Sequence, residues 1–374
     1  MKVDNYTLEK SLGEGMFWKV YLTSKKDDQK KYLTKVYDRE NIDKNNDLKN
    51  NLEMEIRILK YLNHPNIIQI QDVKKSKKNY YTIYEYCNGG PLSKALQSYI
   101  EKYGKPFPEE IIQHLMKQII NAFQYIHEKE IIHRQINLGN ILLNYENEED
   151  AKNLNLIKAQ IKIINFEYSA KLPKNGLVYD LIANLCMDPY SLKILNDTSK
   201  RSKQSGYNQS YDIWYIGSIC YEMLLGKLIF DSGNMEEYIT NMEKGIYTLP
   251  INTSYELISF ITMMLQYSLK QRATAAELYK HDFLNKDTKQ FQKITDLAIS
   301  LKINPSFIKI DSENNKCILT IYNKDDILPL KIGNDKNKES LNSHDQEKDS
   351  KNISDKMKEE KISESSKEDS DKNK

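Results

Sequence analysis

Two short stretches concentrate the side chains that have chemistry to offer. Ile131–Leu143 reads IIHRQINLGNILL, and Ile161–Glu167, shortly after it, reads IKIINFE. Each sets a few polar residues in an apolar frame, and half of those residues are carboxamides: Gln135, Asn137, Asn140 and Asn165. A carboxamide donates and accepts hydrogen bonds but has no basicity near neutral pH. Gln135 can therefore orient a hydroxyl without being able to take its proton. Asn165 offers a neutral oxygen where a hard divalent cation prefers a carboxylate. The chemistry written here is positioning.

The surrounding chain supplies elements to hold these residues. From Tyr6 to Val36, short apolar alternation broken by turns predicts a strand, a glycine turn, a strand and a third strand. The turn, Gly13-Glu14-Gly15-Met16-Phe17-Trp18, reads either as an ordinary hairpin turn or as a loop that lets backbone N–H groups approach phosphates. Asn51–Leu62 has helical spacing at Leu52, Ile56, Leu59 and Leu62 and stops at Asn63-His64-Pro65. Glu55 on it is either a solvated helix charge or the partner of a buried cation. Tyr80–Gly90 reads as a strand running into a glycine-rich linker, and Pro108–Glu130 as a long amphipathic helix. Tyr145–Gln160 is a polar insertion between two strands, expected at the surface.

Composition narrows the class. The 374 residues are 39% hydrophobic and 29% charged with a net charge of +2, which suits a globular chain and makes no case for nucleic acid or an anionic membrane. Cys87, Cys186, Cys220 and Cys317 are scattered without a CxxC pair, so reduced thiols and a cytoplasmic location are expected. The N-terminal residues contain no apolar run of the secretory kind. Tyr215–Phe230, the most apolar long run, is interrupted by Glu222 and Lys227 and predicts a buried helix, with no membrane insertion. Phe307–Tyr322 predicts a small hairpin around Asn314-Asn315, and Asn334–Lys374 is too polar to bury a core and is expected to be disordered.

Taken together, these motifs resemble a degenerate Ser/Thr protein kinase, over about residues 6–285. His133, Arg134 and Asn140 stand in the frame of HRDLKxxNILL, and Asn165-Phe166-Glu167 in that of DFG. Lys35 falls at the VAIK lysine with Leu33 at its alanine, and Trp18 replaces the third glycine of the loop. YDIWYIG, with Asp212, Trp214 and Gly217, and KQRATAAEL, with Arg272, match the lower-lobe landmarks. The INLGNILL stretch and the insertion before KIINFE are most similar to the autophagy-initiating kinases of protists.

The resemblance implies an α+β, bilobal fold over residues 1–286, with a mostly-β N-lobe to about residue 87 and a mostly-α C-lobe from about 88. An extension over 287–333 and the tail at 334–374 would follow. It assigns nucleotide contacts to Gly13, Gly15, Val20, Lys35, Glu55 and Leu142, and hinge contacts to Glu85 and Cys87, with Tyr84 as gatekeeper. Asn140 and Asn165 take the metal positions, and Glu167 is a further candidate. His133, Phe166 and Leu59 resemble the internal apolar stack, with Asp212 as its anchor.

The same resemblance shows what has been lost. Gln135 stands at the general-base aspartate, Asn137 at the phosphate-facing lysine, and Ala183 at the hydroxyl bridging them. The base contributes roughly 10²–10⁴ and one preorganised stabiliser on the order of 10²–10³, so turnover is expected about 10⁴–10⁷ below the ~1–100 s⁻¹ of a kinase. Met187-Asp188-Pro189-Tyr190 replaces APE, and if Tyr190 stands for its glutamate, Arg272 has lost its partner. The expected function is a pseudokinase with weak ATP binding and doubtful Mg²⁺, working as scaffold or allosteric regulator of a partner kinase or its substrate. The alternative is an active Ser/Thr kinase of altered mechanism, with Glu167 holding the metal.

Overall fold

The structure is a computed structural model and describes residues 1–15, 17–26, 28–179, 188, 206–230, 237, 246–292, 308–311 and 316–320. Ala183, Tyr190, the Asn314-Asn315 turn and the acidic-basic tail lie outside the described residues.

A six-stranded antiparallel sheet forms the upper lobe: β1 (Lys2–Val3), β2 (Tyr6–Glu14), β3 (Trp18–Lys25), β4 (Asp28–Asp38), β5 (Ile70–Lys75) and β6 (Asn79–Glu85), in spatial order β1-β2-β3-β4-β6-β5. Alternation along β4 decides what each face does. Tyr32 and Val36 join Val3, Tyr6, Leu8, Tyr81 and Ile83 in the core of one face. Leu33 and Lys35, on the other face, turn toward the cleft between the lobes. Helix α1 (Arg39–Lys44) and helix α2 (Asn46–Tyr61) cover that face. The sequence pattern placed the start of α2 at Asn51; it begins earlier because Asn45 caps it, accepting from the N–H groups of Asp47 and Leu48.

Past β6 the chain crosses through Tyr86–Gly89 into β7 (Gly90–Pro91) and α3 (Leu92–Tyr103). Helix α4 (Glu109–Glu128) is the axis of the lower lobe, with Ile112, Leu115, Met116, Ile119, Ile120, Phe123 and Ile126 fully buried. Seven such side chains on one face, at about 1.5–3 kcal/mol each, make this stripe a large apolar contribution to that lobe. Strand β8 (Ile131–Ile132) leads into the catalytic-loop stretch. Next come β9 (Ile141–Asn144), helix α5 (Glu148–Asn153), β10 (Gln160–Ile163) and β11 (Ala170–Lys171). Strands β9 and β10 pair antiparallel around the polar insertion. The insertion is pinned as well as exposed: Tyr145 and Leu156 are buried, and Asn88 exchanges two hydrogen bonds with the Tyr145 backbone at 2.8 and 3.1 Å.

Helix α6 (Ser210–Leu225) is buried nearly all round, as its apolar run predicts; among the described residues no helix is long and apolar enough to cross a membrane. Strand β12 (Ile246–Pro250) and helices α7 (Tyr255–Met264), α8 (Ala275–Tyr279) and α9 (Asp282–Asn285) complete the lower lobe. The predicted hairpin is present as β13 (Ile308–Asp311) and β14 (Lys316–Thr320), and β14 also pairs with β12, an unforeseen addition.

The expectation that Arg272 has lost its partner is corrected. Arg272 Nη2 donates to Asp188 Oδ2 at 2.9 Å, with both side chains fully shielded, and the guanidinium lies over Trp214. An acid just before Pro189 reaches the arginine that the family's acid reaches from just after its proline. Removing one partner of a buried pair strands a charge at a cost of about 3–5 kcal/mol. We therefore expect Asp188→Ala to lower unfolding stability by roughly that amount in urea titrations, and a loss within error of zero would show the pair to be dispensable.

Candidate active site

The catalytic-loop stretch hangs from one carboxylate. Asp212, in the first turn of α6, accepts from the backbone N–H of His133 at 2.9 Å and of Arg134 at 2.8 Å, and His127 Nε2 lies 3.0 Å from it. Arg134 turns there with φ at 68°, and its guanidinium donates to the Tyr168 carbonyl and the Tyr207 hydroxyl. His133 is fully buried and burial pushes its pKa down. Its tautomer follows from its partners: Nε2 faces the Ile164 carbonyl, which only accepts, and Nδ1 accepts from the Gln135 N–H. The His133 and Phe166 rings meet at 4.7 Å, and Leu59 is buried in the same core.

Lys35 is 4% exposed and Glu55 1%, and they form an ion pair at 3.1 Å. The partner reading of Glu55 therefore stands over the solvated one. Lys35 Nζ also lies 3.3 Å from the second Glu55 oxygen and donates to Asn165 Oδ1 at 2.7 Å. Asn165 Nδ2 in turn donates to Asn140 Oδ1 at 2.6 Å, and Asn140 Nδ2 to the Gln135 carbonyl at 2.8 Å. The direction of this chain is fixed at both ends. An ammonium can only donate and a carbonyl can only accept, so neither amide between them can flip without losing two bonds.

The two metal positions therefore satisfy one another. A carboxylate at residue 165 could accept from Lys35 but could not donate to Asn140. The amide does both, and it occupies the Asn140 oxygen that a cation would need. Among the described residues no cluster of three His, Cys, Asp or Glu side chains is arranged to hold a metal. Asn140 and Asn165 would offer Mg²⁺ neutral oxygens only, and both oxygens accept from protein donors here.

Asn137 is also turned inward. Its oxygen accepts from the Gly139 N–H at 2.9 Å and the Asn140 N–H at 3.2 Å, and its nitrogen donates to the Gln135 carbonyl. It caps the short turn Leu138–Asn140. Neither Gln135 nor Asn137 reaches the cleft wall.

The cleft between the lobes encloses about 640 Å³ and is walled by Gly13, Trp18, Val20, Leu33, Lys35, Glu55, Tyr84, Cys87, Asn140, Leu142 and Asn165, among others. Of the residues expected to contact a nucleotide, Gly15 and Glu85 are not in the wall. The Trp18 ring lies against Gly15, where a Cβ would fall 2.6 Å from it, so the glycine makes room for the indole. The Glu85 contact was expected from its backbone, whose N–H donates to the Gln69 carbonyl at 3.1 Å; its carboxylate accepts from Lys162 Nζ at 2.9 Å and the Gln69 N–H at 2.8 Å. Trp18 continues inward until its ring sits 5.3 Å from Lys35 Nζ. The third-glycine position thus puts an indole beside the cation.

Glu167 does not line the cleft either. Burial raises its carboxyl pKa, Lys35 offsets this in part, and Glu55 adds to it. A carboxyl raised from its ordinary 4.5 holds its proton in the folded chain after the unfolded chain has released it. Stability from this group is present below that value and is lost as pH rises through the raised one. Glu167→Gln should therefore raise the melting temperature more at pH 8 than at pH 5. Equal shifts at the two pH values would mean that the group titrates normally.

Comparison with known proteins agrees with this architecture. The family model described as protein kinase domain matches residues 6–284. The serine/threonine-protein kinase atg1 of Dictyostelium discoideum is 29% identical over 76% of this chain and 40% of its own length. An SNF1-related protein kinase catalytic subunit, alpha KIN12, of Arabidopsis thaliana is 29% identical over 86% of this chain and 61% of its own. The carbon catabolite-derepressing protein kinase of Candida tropicalis is 29% identical over 88% and 49%. The chain thus spans about two fifths to three fifths of the length of these relatives. With its two lobes, its Lys35–Glu55 pair and its Asp212-anchored loop in place, this chain belongs to the protein kinase family.

Proposed function

We propose that this protein is a pseudokinase, a kinase-fold scaffold or allosteric regulator acting on a partner kinase or that kinase's substrate. The observation that carries the reading is the closed amide pair, Asn165 on Asn140 at 2.6 Å, at the two positions a kinase uses for metal. Gln135 supplies no general base, and Asn137 is spent on capping its own loop. What is retained is the set that fixes the lobes: Lys35–Glu55, the His133–Phe166 contact and Asp212. A platform needs that set and a catalyst needs more. The relatives are named as protein kinases, which makes a kinase or its substrate the natural class of partner.

Turnover is the direct test. With labelled ATP and Mg²⁺ or Mn²⁺, the purified full chain should transfer phosphate at least about 10⁴-fold more slowly than a working kinase. Activity that Lys35→Ala abolishes would overturn the reading. If Glu167→Gln abolished it too, the second reading, a kinase with Glu167 recruited to the metal, would replace it. The retained Lys35–Glu55 pair is what favours that second reading at all.

ATP binding follows from the same geometry. Affinity in the tens of micromolar or poorer, roughly −6 kcal/mol, is expected, with little response to Mg²⁺. Thermal-shift curves should rise by mass action alone, equally with and without Mg²⁺. A large Mg²⁺-dependent rise would mean that Asn165 or Glu167 ligates the ion.

A further inference from the structure

Helix α2 carries Glu55, and its two ends are held by different parts of the molecule. Ile58, Leu59 and, just past the helix, Leu62 are buried in the large core shared with the lower lobe. Leu52, nearer the start, belongs instead to a small separate cluster with Tyr37 of β4 and Ile42 of α1. Leu48, Ile56 and Tyr80 pack against this cluster, and so does Trp18, which brings the glycine turn into it.

The indole is seated from three sides. The Trp18 carbonyl accepts from the Gly15 N–H at 2.8 Å, which closes the turn. The ring lies against Gly15, where a Cβ would stand 2.6 Å from two ring carbons. Its centre lies 5.3 Å from Lys35 Nζ, the cation that pairs with Glu55. One side chain thus ties together the glycine turn, the β4 lysine and the cluster that seats α1 and the start of α2. An indole brings roughly 150–250 Å² of surface to such a junction, more than any aliphatic side chain could.

We propose that Trp18 is an internal wedge that fixes α1 and the first half of α2 with nothing bound in the cleft. The Lys35–Glu55 arrangement is then a property of the chain itself, independent of any ligand. The inference stands apart from the pseudokinase reading: that one fails on turnover, this one on the exchange of helix amides.

The two loop glycines give the test its contrast. Neither has a positive φ, so alanine strains the backbone at neither. A Cβ on Gly13 meets nothing within 4 Å, whereas one on Gly15 meets the indole. Hydrogen–deuterium exchange on the full chain, read peptide by peptide, compares the wild type with Gly13→Ala, Gly15→Ala and Trp18→Gly. Gly15→Ala pushes the indole from its seat without removing apolar surface. It should speed exchange over residues 39–52 about tenfold or more and leave residues 58–62 within about twofold of the wild type. Trp18→Gly should reproduce that pattern, and Gly13→Ala should match the wild type throughout. If Trp18→Gly fails to fold, Gly15→Ala decides alone. In the wild type, millimolar ATP, with Mg²⁺ or with EDTA, should alter exchange over residues 39–52 by less than about twofold. Unchanged exchange over that span in Gly15→Ala would overturn the proposal. So would a loss of protection spreading equally through residues 58–62, or a slowing of about tenfold by ATP in the wild type.

Discussion

The ammonium of Lys35 sets the terms for everything near it. A charge taken almost wholly out of water is tolerable only when paired and fully hydrogen-bonded. Glu55 supplies the pairing and Asn165 the remaining acceptor. Because an ammonium can only donate, Asn165 must present oxygen to it and nitrogen to Asn140. Asn140 is then committed in turn, and the catalytic loop is tied to the upper sheet through two neutral amides. Asn165 and Asn140 hydrogen-bond across the gap between the upper sheet and the loop.

The loop is tied equally firmly from below. Asp212 receives two successive backbone N–H groups, and Arg134 turns through a left-handed conformation to spend its guanidinium inside the fold. The segment between these two ties therefore has little freedom. Asn137 tightens it further by capping the turn it begins. The uncharged residues of the loop spend their amides on internal hydrogen bonds, which hold its frame.

Much of this is legible in the residues. The alternation through β4, the stripe along α4 and the fixed spacing of the loop motifs put Lys35, Glu55, Asn140 and Asn165 in one cleft. What escapes is which atoms meet. An asparagine at a metal position reads as a poor ligand, and only coordinates reveal it as a donor to the next asparagine. Asp188 escapes for a related reason: motif spacing assigns Arg272 a partner by position, whereas the pair is set by reach. Gly15 reads as space for phosphate and proves to be space for Trp18. The pairing of β12 with β14 joins residues about seventy apart, and no local pattern announces a contact over such a separation.

That last pairing bears on where the domain ends. The protein kinase family model matches to residue 284, yet β12, anchored through buried Tyr247 and Leu249, has an edge that β14 occupies. Residues 291 and 292 also stay close to the lower lobe, with the Tyr255 N–H on the Gln292 carbonyl and the Phe291 and Phe283 rings 5.5 Å apart. Cutting at the homology boundary would bare a row of unpaired backbone donors and acceptors on β12, the kind of edge that recruits strands from neighbouring molecules. The unit that the family model delimits is shorter than the unit that keeps this edge covered.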